Sequence, residues 1–242
     1  MKSPALIIAK KELRMFFDSL VAYILLIAFL GFSGFFTWFY GSDIFLTKQA
    51  SLQSFFKIAY WTLFFFIPAL TMRALAEENK TGTIELLLTK PISNWQVLWG
   101  KFFACLMLIV IALLCTLPYY ITVINLGKVD SGVVLCGYLG LFLMSAAYVS
   151  IGIFASSVTN NQVVAFLIAL FTGIFFHFIF GLLANSFTGT MGEVINYLSM
   201  QTHFDGISRG LIDSRDLIYF GSIIFLGLVL AEVSLAKRNI SE

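Results

Sequence analysis

Residues 131–192, SGVVLCGYLGLFLMSAAYVSIGIFASSVTNNQVVAFLIALFTGIFFHFIFGLLANSFTGTMG, contain no Asp, Glu, Lys or Arg in 62 consecutive positions. A helix in a water-soluble core keeps one solvated face. A helix surrounded by hydrocarbon keeps none, because a charge at the bilayer centre costs about 2.5–3.5 kcal/mol even on insertion scales. One helical crossing takes about 20 residues, so this stretch crosses twice. The polar cluster SSVTNNQ at 156–162 divides it and reads as a tight turn.

On either side, the remaining uncharged windows give four more crossings. The six spans fall near 19–40, 55–72, 102–124, 133–157, 162–184 and 217–236. The second has only the fifteen charge-free positions 58–72. At about 1.5 Å per residue these are too short for a hydrocarbon core of roughly 30 Å. Phe55 and Phe56 are therefore expected to extend it, with Lys57 snorkelling outward. Pro118 predicts a kink near the far end of the third.

Composition agrees with an all-α polytopic protein forming one domain over 1–242: 60% apolar residues, 17% aromatic and 12% charged. Soluble domains carry about 25% charged residues. A net charge of +2 leaves no electrostatic footprint for nucleic acid. Cys105, Cys115 and Cys136 lie in apolar runs without metal-site spacing or a disulfide framework. The first insertable run follows a charged helix and is too long for a signal peptide.

Lys and Arg set the orientation. With the N-terminus cytoplasmic, the inner side holds ten: Lys2, Lys10, Lys11, Arg14, Arg73, Lys80, Lys90, Lys101, Lys237 and Arg238. The outer side holds five: Lys48, Lys57, Lys128, Arg209 and Arg215. Both termini are expected inside, as six spans also require. Ser145, Gly152 and Ser156 recur at helical spacing on the fourth span, beside Ala146, Ala147 and Ser150. Small residues let backbones approach, either within the bundle or at a dimer seam.

Residues 3–18 read as an amphipathic helix in the headgroup plane, with Ser3 as cap and Pro4 in the first turn. Leu6, Ala9, Leu13, Phe16 and Phe17 form its apolar stripe, with Lys10, Lys11, Arg14 and Asp18 off it. Such a helix is a simple anchor or an interface helix that also touches a cytoplasmic partner.

The loop 73–101, RALAEENKTGTIELLLTKPISNWQVLWGK, carries too many charges for a minimal connection. Residues 73–78 are expected to prolong the second span, ending at Gly82 as a left-handed cap. Thr83 then caps a short helix 84–89 with Glu85 near its N-terminus, and Pro91 stops it. Ser93 and Gln96 fit a capping box that restarts the chain as an interfacial helix with Trp95 and Trp99. A short capped helix held between two spans is a part that something soluble can push.

These residues carry a resemblance. Pro68-Ala-Leu-Thr-Met-Arg73, Ala76-Glu77-Glu78, Gly82-Thr83, Glu85, Leu87-Leu88-Thr89-Lys90-Pro91-Ile92-Ser93 and Gly100-Lys101 resemble the signature of ABC-2-type transporter permeases. Lys11-Glu12-Leu13-Arg14 with Phe17 and Asp18-Ser19 is similar to the family's amphipathic N-terminus. Leu198-Ser199, His203-Phe204, Arg209-Gly210, Ile212-Asp213 and 216–220 resemble the gliding-motility-associated (GldF-type) subfamily, related to NosY-type permeases. The resemblance spans essentially the whole chain. It implies that the loop after the second span is a coupling helix docking on a separate ATP-hydrolysing subunit, through Glu77, Glu78, Gly82, Thr83, Glu85, Leu87, Leu88 and Pro91. Asn160 in the inner turn would add a smaller contact. It also implies short re-entrant helices in the outer loop 185–216, placing His203, Phe204, Arg209, Gly210, Asp213 and Asp216 at an outer gate or a contact with a periplasmic accessory protein. A packed amphipathic cap without a transport role accounts for that loop equally.

The chain has no energy source of its own. Gly100-Lys101 lacks the P-loop glycine, Trp95 standing in its place, and the following Ser/Thr, where Phe102 stands. ATP and Mg²⁺ are thus expected on the partner, with no cofactor bound here. His177 and His203 are isolated and make no metal site. Glu232, near the inner end of the last span, is expected to snorkel or to pair with Lys237. The expected protein is a multi-pass permease subunit of the bacterial inner membrane. It works as a homodimer, or a heterodimer with a sister permease, beneath which two ATP-binding cassette subunits drive export or force transmission. The rival readings are a structural anchor for a periplasmic complex and a secondary transporter. The latter calls for mid-membrane ionisable residues or matching broken helices in two halves.

Overall fold

The computed structural model describes residues 3–39, 51–82, 92–187 and 189–240, and every regular element among them is helical. Six stretches are long and apolar enough to cross a membrane: Leu20–Trp38, Gln53–Thr81, Asn94–Leu126, Ser131–Val158, Gln162–Ser186 and Ser214–Lys237. The all-α, six-span architecture expected from the charge pattern is the one observed, in a multi-pass membrane protein.

Helix α1 (Pro4–Asp18) turns at Ser19 into α2 (Leu20–Trp38). Ser3, expected to cap α1, makes no side-chain bond to it. Ser19 caps α2, its Oγ accepting from the Val21 N–H at 3.4 Å. Only part of the expected apolar stripe of α1 faces the bundle. Leu6 is 59% exposed, while Glu12 is buried.

The second crossing is two helices: α3 (Gln53–Thr71) and α4 (Ala76–Thr81), separated by a turn. The expected unbroken continuation through 73–78 is therefore corrected. A hydroxyl from a neighbouring helix holds the break open, as described below. Phe55 and Phe56 do lengthen α3 and are buried, with Lys57 exposed beside them. The third crossing is also divided, into α5 (Asn94–Leu114) and α6 (Leu117–Leu126). The interruption precedes Pro118, whose ring cannot sit against the carbonyl four residues back. Thr116 closes it with a bond from Oγ1 to Leu113 O at 2.6 Å. The Ser93–Gln96 capping box opens α5 as expected.

Helix α7 (Ser131–Val158), capped by Asp130, is the central post. It packs against α3, α5, α8 (Gln162–Ile174), α11 (Met200–Ser208) and α12 (Ser214–Ile240); a π-helical turn Phe175–Ile179, α9 (Phe180–Ser186) and α10 (Thr190–Tyr197) lie between α8 and α11 in the chain. Its small residues serve this chain itself. Ser145, Ala146, Ala147, Ser150, Gly152 and Ser156 are all buried. A Cβ at Gly152 would overlap Thr71 Oγ1 of α3, and one at Gly227 of α12 would stand 2.6 Å from Ser150 Oγ. The two readings of that stripe resolve to packing within the bundle.

Contacts define two ends. At one, α1, α4, the start of α5 and the close of α7 meet, and Ser234 of α12 bonds Ser157 O at 3.2 Å. We refer to it as the termini face. At the other, the far face, Gln53 Nε2 donates to Ser208 O at 3.1 Å and Gly210 lies against Val133.

Candidate coupling site

The root of the loop after the second crossing is pinned from three sides. From α7, Ser156 Oγ accepts from the N–H groups of Leu75 and Ala76, both at 2.9 Å, and donates to Met72 O at 3.2 Å. One hydroxyl thus replaces partners the broken helix cannot supply, which matters because a buried N–H left unpaired costs about 1–3 kcal/mol. The Asn79 amide reaches the carbonyls of Ser156, Ser157 and Thr159 at 3.3–3.5 Å. The loop root therefore follows the turn between the fourth and fifth crossings.

The third tie is ionic. Lys101 of α5 has a side chain only 3% exposed, and its Nζ lies 2.8 Å from Glu78 Oε1 and 3.0 Å from Glu12 Oε1. A buried ammonium costs several kcal/mol unless compensated, and here two carboxylates compensate it. Glu12 comes from α1 and Glu78 from α4, so one cation joins the N-terminal helix, the loop root and the third crossing. Close packing reinforces the joint: a Cβ at Gly100 would stand 2.7 Å from Ile8 of α1.

Of the residues expected to form the coupling contact, Glu77 is exposed, while Glu78 is turned onto Lys101 inside the chain. Gly82 adopts φ +67°, the left-handed conformation expected of it, with nothing within 4 Å of a Cβ. Asn160 is exposed in the neighbouring turn. Between them, Lys80 and the 158–163 turn line an open cleft of about 700 Å³. Thr83, Glu85, Leu87, Leu88 and Pro91, with the expected helix 84–89, lie outside the described residues. On α1, Lys10, Lys11 and Arg14 are exposed, while Phe17 packs edge-on to Tyr23 at 6.0 Å.

At the far face the six expected residues have distinct local roles. His203 Nε2 lies 2.8 Å from Tyr197 O and Nδ1 lies 2.6 Å from Asp216 Oδ1. The carbonyl only accepts, so Nε2 carries the hydrogen of that contact. The ring stacks on Tyr219 at 4.0 Å, joining α10, α11 and α12. Phe204 is fully buried and stacks on Tyr60 at 4.6 Å. Gly210 (φ +92°) turns the chain against Val133. Asp213 accepts from the Arg215 N–H at 3.0 Å, which holds its carboxyl below the usual carboxylate range. Arg209 is exposed. Glu232 is half-exposed and makes no ion pair with Lys237 among the described residues.

Lys101, Glu12 and Ser156 are the residues that sequence reasoning left without a role at the loop. The signal was partly there. Lys101 shares a helical face with Leu98 and Cys105, both buried, and a lysine on an apolar face requires an acid. Which acid depends on how α1 lies across α5, and no local pattern encodes that.

A family model described as ABC-2 family transporter protein matches residues 6–233. No curated protein matches the chain. The family match takes in α1 from residue 6, the first five crossings, the ionic joint and the sixth crossing as far as residue 233.

Proposed function

Because the chain belongs to the ABC-2 family of transporter proteins, we propose that it is the membrane permease subunit of an ATP-binding cassette complex. It couples ATP hydrolysis on a separate subunit to export or force transmission across the bacterial inner membrane. The termini face is cytoplasmic, ATP and Mg²⁺ reside on the partner, and two permease chains, identical or sister, form the membrane core. Membership of the gliding-motility-associated (GldF-type) branch is part of the proposal, supported by the likeness of 198–220 to it. What supports this reading, beyond the family match, is the three-way tie at the loop root.

A partner docking on 83–91, on Glu77 and on the cleft beside Asn160 would push against Gly82. The push is not absorbed locally, because the root is fastened to α7 by Ser156 and Asn79, and to α1 and α5 by Lys101. It passes as a rigid displacement into the third and fourth crossings and the surface helix. A structural anchor has no need of such a tie.

The test pairs the chain with its ATP-binding cassette subunit in proteoliposomes. Glu85→Arg is expected to abolish substrate-linked ATP turnover while the chain still inserts and folds. Unchanged turnover, or failure of any ATPase to co-purify with the wild-type chain, would overturn the proposal in favour of an anchor.

A further inference from the structure

The far face holds a second polar site unconnected with the loop. Where the fifth crossing ends, α9 through α11 line an open cavity of about 240 Å³. Six polar side chains line it: Asn185, Asn196, Ser199, Gln201, Thr202 and Asp205. For a site flanked by lipid-facing helices this is a dense set of hydrogen-bonding groups. No Lys or Arg is among the lining residues described.

Two observations show that the set is incomplete. Ser199 is 1% exposed, yet its Oγ has no hydrogen-bond partner. That oxygen faces Gly181 across the cavity wall, where a Cβ would stand 3.4 Å away. Asp205 is half-buried, and no hydrogen bond or ion pair reaches its carboxylate among the described residues. Burial raises its carboxyl above the usual range, partly offset by the more distant charges of Arg209 and Lys57. Thr202 Oγ1 donates to Asn196 Oδ1 at 2.8 Å, fixing that wall.

The lining chemistry selects the ligand. An anion would meet Asp205 with no cation in the wall. An apolar group would strand Ser199 and Asp205. A primary ammonium brings three N–H donors and a positive charge to a carboxylate, a serine oxygen and carboxamide oxygens. The geometry points to a binding site for a small primary ammonium group at the far face, with Asp205 as counter-ion and Ser199 as fixed acceptor. The group has two sources of the same chemistry: the aminoethyl headgroup of a phospholipid, or a free amino compound. The site stands independently of any ATPase.

The experiment uses the purified full chain. Retention of phosphatidylethanolamine and phosphatidylcholine is measured by native mass spectrometry, and stabilisation by free ethanolamine or choline by thermal shift. Choline carries no N–H and is the control. In the wild type, phosphatidylethanolamine or ethanolamine is favoured over its choline counterpart roughly tenfold, the range expected for one charge-assisted hydrogen-bonded group. Selection seen only with the lipid assigns the headgroup, and selection seen only in solution assigns a soluble amine. Asp205→Asn removes the preference in either arm. Gly181→Ala, whose methyl fits the helix but narrows the cavity toward Ser199, weakens it without touching Asp205. Equal binding of primary and quaternary ammonium, or a preference that survives both variants, overturns the proposal.

Discussion

The two ends of this bundle are fastened by different means. The termini face is tied by ions and hydrogen bonds across elements far apart in sequence: Lys101 to Glu12 and Glu78, and Ser156 and Asn79 across the loop root. The far face adds ring stacks, Phe204 on Tyr60 at 4.6 Å and Tyr60 on His177 at 4.0 Å, to hydrogen bonds such as Gln53 to Ser208. It carries one ion pair, His203 to Asp216, among the described residues. Directional bonds hold a fixed geometry, whereas ring faces slide at smaller cost. The proposed coupling would use this contrast, with force received at one end and rearrangement at the other.

The comparison breaks first at Lys101. Glu12→Gln combined with Glu78→Gln leaves a buried ammonium without a counter-charge, and is expected to cost about 3–5 kcal/mol. A thermal melt of the detergent-purified protein should show the largest loss of this set. A melt within error of wild type would mean that the termini face is not held ionically. Gly152→Val drives side-chain atoms into Thr71 and should cost about 3 kcal/mol, read by the same melt. Ser156→Ala strands the Leu75 and Ala76 N–H groups for about 2 kcal/mol. Hydrogen exchange at 72–82 should rise while exchange in α11 stays constant, which sharpens the contrast between the two ends.

At the far face, Asp216→Asn weakens one bond in a ring-packed cluster, and about 1.5 kcal/mol is expected. If it proves as costly as the loss of both carboxylates around Lys101, the two ends are not differently fastened. The smallest effect falls at Gly82. Gly82→Ala meets no neighbour and bears only the left-handed backbone penalty of about 1 kcal/mol.

The sequence discloses the fold through charge. Six uncharged windows, the Ser93 cap and the left-handed Gly82 are local patterns, and local physics suffices to read them. The breaks at 72–75 and 115–116 were less legible. Pro118 marks the second, but the first depends on Ser156, a residue about 80 positions away. The candidate site divides in the same way. Its loop was recognisable by composition and family likeness, whereas the joint beneath it required knowing that α1 crosses α5 at Gly100. Glu78 shows the limit. Beside Glu77 it reads as one more solvated acid, and only the fold turns it inward. The small-residue stripe of α7 favours packing within the bundle over a dimer seam on sequence, and the glycine contacts place it inside the chain.

The central claim, that the loop root is a cytoplasmic lever worked by another polypeptide, rests on one accessible position. With Cys105, Cys115 and Cys136 replaced by Ser, Glu77→Cys gives a single exposed thiol on α4. Cross-linking from it to a co-expressed ATP-binding cassette subunit, with and without ATP, is the direct measurement. The account predicts a cross-link whose yield changes with nucleotide. A thiol that never reaches the ATPase, and is instead modified by an impermeant reagent added outside intact cells, would contradict it.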